Sequence, residues 1–192
     1  MEPVDILKTV YADSPMVRDL LLIHGRVVGE KALEIADRCP ELAIDRNFVI
    51  EAAFLHDIGI RECHASSIGC FGNLPYVQHG MVGRRMLEER GLFRHALVCE
   101  RHVAMGIDRE EIQKRRIPLP DGDMLPITIE EKLVCFADKF FSKDHNPEQE
   151  KPVENILKGL SRYGEKQTRR FLECCELFRY PIHSSPSEET CR

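Results

Sequence analysis

The adjacent pair His56-Asp57 closes a run of apolar residues just before Gly59, and it is the feature of this chain best suited to chemistry. Neighbouring residues at a helix C-terminus can both reach one ion, and the negative end of the helix dipole favours a cation there. The dipeptide alone is weak evidence, so the rest of the chain has to supply partners. Asp138 shares a helical face with Val134, Ala137 and Phe141, and an ionised carboxylate is seldom buried without a counter-charge. It requires a cation, either a metal ion or a nearby Arg or Lys. His24 lies among Leu20, Leu21, Val27 and Val28 at the edge of an apolar face. Taken alone, such a histidine is more often a hydrogen-bonded core residue than a ligand. His79, on a face with Val82, Gly83 and Met86, and His102, on one with Val98 and Cys99, are semi-buried in the same way. Imidazole with carboxylate suits iron, manganese, cobalt or zinc, whereas calcium would demand more oxygen ligands.

Helices must position these groups. Ser14-Pro15 is a helix-start signal, a side-chain cap before a residue whose missing N–H costs nothing there, and it opens a helix expected over 15–38. Asp45 opens a second, running through Val49, Ala52, Ala53 and Leu55 to the His-Asp pair and stopped by Gly59. Gly69, Gly72, Asn73 and Pro75 break any period over 60–76, which predicts a loop able to lie over a site. Helices follow over 77–90 and 92–105, closed by Gly91 and Gly106. Asp108 with Glu111 forms a capping box, 118–126 is a loop, and Thr128 with Glu131 forms a second box opening a helix through Asp138 to about residue 143. An amphipathic stretch over 153–178 is expected on the outside of the bundle, followed by a flexible tail over 181–192 rich in Ser, Glu and Pro. No alternating run is long enough for a strand. The expected architecture is all-α, one helical domain over 1–180 with its core over 18–145.

A chain of 192 residues can bury a core without disulfides, and its eight cysteines are scattered at spacings that suit neither staples nor a structural zinc site. Reduced thiols in a cytoplasmic protein are the expectation. A net charge of -5 with interspersed signs argues against stable nucleic-acid binding, and no apolar run reaches membrane-spanning length. Oligomeric state stays open, a homo-oligomer included.

The order of these residues resembles the HD superfamily of metal-dependent phosphohydrolases. His24, the run Ala53-Phe54-Leu55-His56-Asp57-Ile58-Gly59 and the late Ala137-Asp138 follow its order of His, His-Asp and Asp, and Ile58-Gly59 is similar to the HDIG subgroup. His79-Gly80 and Glu100-Arg101-His102 before Gly106-Ile107 resemble members that carry two extra histidines and a second metal. The segment Ile129-Glu130-Glu131-Lys132-Leu133 ahead of Ala137-Asp138-Lys139 is similar to a prokaryotic branch of that subgroup. The resemblance implies an all-α HD-domain bundle in which His24, His56, Asp57 and Asp138 hold one divalent transition metal. It implies that His79 and His102 hold a second, with Asp57 bridging and Asp57 and His56 at the centre of catalysis. The lysine that many relatives place after Ile-Gly is absent, since Ile60 and Arg61 follow here. The segment between Asp57 and His79 is longer than in close relatives, which leaves His64 as an extra ligand or substrate contact.

Phosphate esters resist attack because the nucleophile meets negative charge, and a metal answers this by activating water and neutralising the phosphoryl oxygens. The basic residues expected to hold the phosphate are Lys139 and Lys143 first, then Arg61 and Arg101. The implied substrate is a small phosphorylated molecule, nucleotide-like, cleaved at a phosphomonoester, phosphodiester or phosphoanhydride bond. Two rival readings are a di-iron oxygenase of the same superfamily and a ligand-binding regulatory module without turnover.

Overall fold

Two helices packed along each other, α2 (Pro15–Ala36) and α3 (Arg46–Leu55), form the frame on which the other elements sit. The chain is seen in a computed structural model that describes residues 2–143 and 146–182. Of the tail expected over 181–192, residues 183–192 lie outside the described residues, while Ile182 packs against the core.

The all-α expectation holds. Beyond α2 and α3 come α1 (Pro3–Val10), α4 (His79–Glu88), α5 (Phe93–Arg101), α6 (Arg109–Arg115), α7 (Ile129–Asp138), α8 (Val153–Ser161) and α9 (Glu165–Leu177). A two-stranded hairpin, β1 (His64–Ala65) with β2 (Cys70–Phe71), lies inside the segment expected to be loop; strands this short carry no readable alternation. α1 has a Pro start but spans too little chain to display a period, and its place is set by burial of Ile6 and Leu7.

Both sides of the capping box are made at Asp108 and Glu111, and Asp45 accepts from the Phe48 N–H. Other signals act differently from expectation. Ser14 makes no cap bond and donates instead to Asp13, leaving Pro15 as the working start signal. Thr128 accepts from the Glu131 N–H, but the Glu131 carboxylate turns to the Ile127 N–H and Arg101, so only half a box forms. α5 ends at Arg101, capped by His102, rather than at Gly106, because Ala104 and Met105 take left-handed conformations and turn the chain early. α7 ends at Asp138, with Lys139 as its cap. The stretch over 153–178 divides at Gly164 (φ 141°), which lets α9 fold back on α8. Instead of lying outside, it supplies Phe171 and Phe178 to the core, both fully buried.

Buried apolar side chains form two clusters. The larger joins Val28, Ala32, Val49, Ala53, Val134 and Phe136 to Phe171 and Phe178, and the second joins Leu7, Leu21, Leu55, Ile58, Leu87 and Cys99. α2 changes from one cluster to the other between Leu21 and Val27 and α3 between Ala53 and Leu55, while α5 gives Val98 to the first and Ala96 and Cys99 to the second. His24 and His56 stand at these changeovers. The seam between the clusters is therefore polar, and burying such groups is costly unless they satisfy one another or a shared ligand.

Candidate metal centre

Six side chains from five helices and their ends meet on the seam: His24 from mid-α2, His56 and Asp57 from the end of α3, His79 from the start of α4, His102 from the cap of α5 and Asp138 from the end of α7. All are buried, none more than 7% exposed. The backbone is built to let them meet. A Cβ on Gly59 would stand 2.1 Å from the His79 carbonyl oxygen, and one on Gly80 would stand 2.5 Å from that of Cys99. The glycines thus let the Asp57 turn and α5 press against the first turn of α4. Gly59, expected to stop α3, has no positive φ and lies beyond the helix end, where it serves this close approach.

The atoms fall into two sets. His24 Nε2, His56 Nε2, Asp57 Oδ2 and Asp138 Oδ1 form one, with separations from 3.0 Å (His24 to Asp138 and His56 to Asp57) to 3.4 Å (His24 to Asp57 and His56 to Asp138). The other is Asp57 Oδ1, 3.4 Å from His79 Nε2 and 3.6 Å from His102 Nε2, with the two imidazole nitrogens 3.1 Å apart. In each set the ligand atoms lie within 4.8 Å of one another. Asp57 divides its carboxylate between the two.

The outer ring nitrogens decide the chemistry. His56, His79 and His102 direct Nδ1 at the carbonyls of Ala53 (2.7 Å), Tyr76 (2.6 Å) and Cys99 (2.8 Å). A carbonyl only accepts, so each Nδ1 carries hydrogen, and His79 and His102 when neutral, and His56 once it gives up its second proton, offer a bare Nε2 lone pair to the seam. Burial, helped by His102, pushes His79 down to about 3, and burial, helped by His56, pushes His102 downward, so both are neutral. Two lone pairs facing each other across 3.1 Å beside a carboxylate oxygen contain no donor, and a single cation satisfies all three. His56 Nε2 and Asp57 Oδ1 are likewise buried without a hydrogen-bond partner, while Asp57 Oδ2 faces the Lys143 ammonium at 2.7 Å. The donor set of imidazole and carboxylate fits a divalent transition metal, with the backbone carbonyls orienting the rings from behind.

Charge is balanced by two lysines. Burial alone would raise the Asp57 carboxyl, but His56 and Lys143, the latter 2.7 Å from Oδ2, hold it well below the usual carboxylate range. Asp138 is held down, against burial, by Lys139 and Lys143. His24 is pushed down to about 4 by burial and by Lys143, while His56, against burial, is raised to about 9 by Asp57 and Asp138. A proton on His56 and a cation among the four ligand atoms are alternative ways of neutralising the same two carboxylates.

A cavity of about 910 Å³ opens from His79, His102 and Asp138 and is lined at that end by Lys139, Lys143 and Tyr76. A smaller one of about 420 Å³ shares Tyr76 and Lys143 with it and is lined by His64, Ser66 and Ser67. The two expected lysines therefore reach the site. His64 is exposed and stands at the smaller cavity, apart from either ligand set. Arg61 does not reach the site: it grips Asp13 through both oxygens at 2.7 and 2.8 Å. Arg101 is also taken elsewhere, bonding both Glu131 oxygens at 2.9 Å and so tying α5 to α7. Tyr76, whose ring centroid is 4.6 Å from that of His79, carries no sequence signal, since it lies in a segment read as loop.

Fold and site together define a helical domain with a buried His-Asp metal centre. The chain belongs to the HD domain family, whose description matches residues 21–142. It is 34% identical over 142 residues to an uncharacterized protein of Methanocaldococcus jannaschii, covering 72% of this chain and 76% of that one. It is 35% identical over 162 residues to a tRNA (cytidine(56)-2'-O)-methyltransferase of Picrophilus torridus, and 32% identical over 150 residues to one of Thermoplasma volcanium. These alignments cover 84% and 77% of this chain but only 39% and 40% of those two proteins. No solved structure gives a significant match. Among the described residues no helix is long and apolar enough to cross a membrane.

Proposed function

We propose that this HD domain is a metal-dependent phosphohydrolase acting on a small, nucleotide-like phosphate ester or anhydride. The supporting observation is the division of Asp57 between two sets of Nε2 lone pairs at the inner end of a cavity whose wall carries Lys139 and Lys143. A divalent ion held there would lower the pKa of a bound water and neutralise charge on a phosphoryl oxygen. The protein's own contribution is preorganisation. Carbonyls of Ala53, Tyr76 and Cys99 fix the three rings, so no reorientation is needed when charge develops. Burial of the six ligands keeps the inner end dry, and the two ammonium groups give it the positive charge that an entering phosphate needs. Methyl transfer, named for two relatives, belongs to proteins of which this chain spans about two fifths, and a buried His-Asp centre is not the chemistry of a methyl donor.

The test is metal analysis of the purified protein together with phosphate release from a panel of nucleotides and phosphoesters, in air and without oxygen. Hydrolysis should persist anaerobically, whereas a di-iron oxygenase would stop. Asp57→Ala should remove bound metal and lower turnover by more than the roughly hundredfold typical of losing a mere outer partner. A metal-loaded protein that releases phosphate from no member of the panel overturns the proposal.

A further inference from the structure

The outer end of the large cavity lies away from the ligands and is not used by the proposed chemistry. Arg115 and Arg116, at the end of α6, and Arg162, which caps α8, line it together with Tyr163, and all four are exposed. Among the described residues their charge has no carboxylate partner: none lies within 4.0 Å of these three guanidinium groups, whereas every other described arginine except Arg90 has one. The placement is structural as well: the chain turns at Arg116 in a left-handed conformation (φ 52°), and Arg115 donates to the Tyr163 carbonyl, tying the end of α6 to the end of α8. The rest of the wall is largely apolar, with Val103, Ile107, Phe141, Ile156 and Leu160, interrupted by Lys151, Asn155 and Gln167.

A cavity with lysines beside the ligands, an arginine rim and a largely apolar wall selects a ligand of matching pattern. We infer that the rim formed by Arg115, Arg116 and Arg162 is a second anion subsite, and that the substrate is a phosphate ester carrying another phosphate beyond an uncharged, nucleoside-like body. This rests on the proposed hydrolase reading for the inner phosphate alone; the rim stands on its own geometry. Guanidinium groups bind phosphate through paired donors, and one charge-assisted contact is worth about tenfold in affinity. At about 910 Å³ the cavity is near the upper end for small-ligand sites, which suits a body with a group at each end.

The experiment is equilibrium binding by calorimetry of adenosine 5'-monophosphate and adenosine 3',5'-bisphosphate to the whole protein with divalent metal present. Wild type should bind the bisphosphate about tenfold or more tighter. Arg116→Gln/Arg162→Gln should bring the ratio of the two affinities close to one, and Arg116→Lys/Arg162→Lys should restore part of it, with unchanged thermal melting as the check on folding. Arg115 is left in place because it ties α6 to α8. Equal affinities in wild type, a preference that survives the double Gln variant, or no binding of either nucleotide would each overturn the inference. A bisphosphate preference without phosphate release would sink the hydrolase reading and leave the subsite standing; turnover with equal affinities would do the reverse.

Discussion

His79 and His102 face each other with their Nε2 atoms 3.1 Å apart, while both Nδ1 hydrogens are committed to backbone carbonyls. Neutral rings in that arrangement repel unless a cation lies in reach of both. His102→Ala should therefore lower the metal content from roughly two equivalents to roughly one, the first set being independent of it except through Asp57. Elemental analysis of the purified variant checks this. Retention of the full complement would mean that the pair binds no ion.

Metal should also stabilise the fold, since an unfolded chain does not present the ligands together. A divalent ion at a hundred times its dissociation constant should add about 2.7 kcal/mol, and a chelator should remove it. Thermal melting with and without the ion reads the difference, and an unchanged midpoint would contradict the assignment.

Lys143 lines both cavities and sits 2.7 Å from Asp57. Replacing it by Met removes a positive charge from the inner end while keeping much of its bulk. Phosphate release should fall about a hundredfold in kcat/KM, in the range seen when one electrostatic donor is lost, with Lys143→Arg intermediate. Steady-state kinetics decides it.

Gly59 permits the approach of the Asp57 turn to α4, and a methyl there would meet the His79 carbonyl at 2.1 Å. Gly59→Ala should cost about 1 to 3 kcal/mol, the usual range for overpacking, and should weaken metal binding because both sides of the contact carry ligands. Urea denaturation and metal titration measure the two effects.

A pH effect is expected away from the metal centre. Against burial, Lys166 (2.8 Å) and the Glu111 N–H (2.9 Å) lower the Asp108 carboxyl to about 2, and Arg170 stands 2.7 Å from it. A depressed carboxylate contributes stability in full above its unfolded pKa of about 4 and loses it as pH falls through the folded value. The contribution should be about 1 kcal/mol once solvent screening is allowed for. Asp108→Asn should be less stable than wild type at pH 6, and the gap should narrow steadily below pH 4 in urea titrations; a constant gap would refute the assignment.

Much of this protein is written in one dimension. Local signals such as Asp45, the Asp108 and Glu111 box, and Pro15 act within one turn of chain, so they mark helix starts wherever the chain later packs. The type and order of His24, His56-Asp57, His79, His102 and Asp138 also specify what the site could bind, because ligand chemistry belongs to the side chains themselves. Other properties depend on contacts between distant segments and were decided only by tertiary structure. Arg61 and Arg101 could have faced a phosphate, but Asp13 and Glu131 hold them, and pairing with residues 48 and 30 positions away has no local signature. The division of Asp57 between two ligand sets, the close approach at Gly59, and the placing of Arg116 and Arg162 on one cavity arise in the same way. Each is a distance between elements, and helix packing sets such distances.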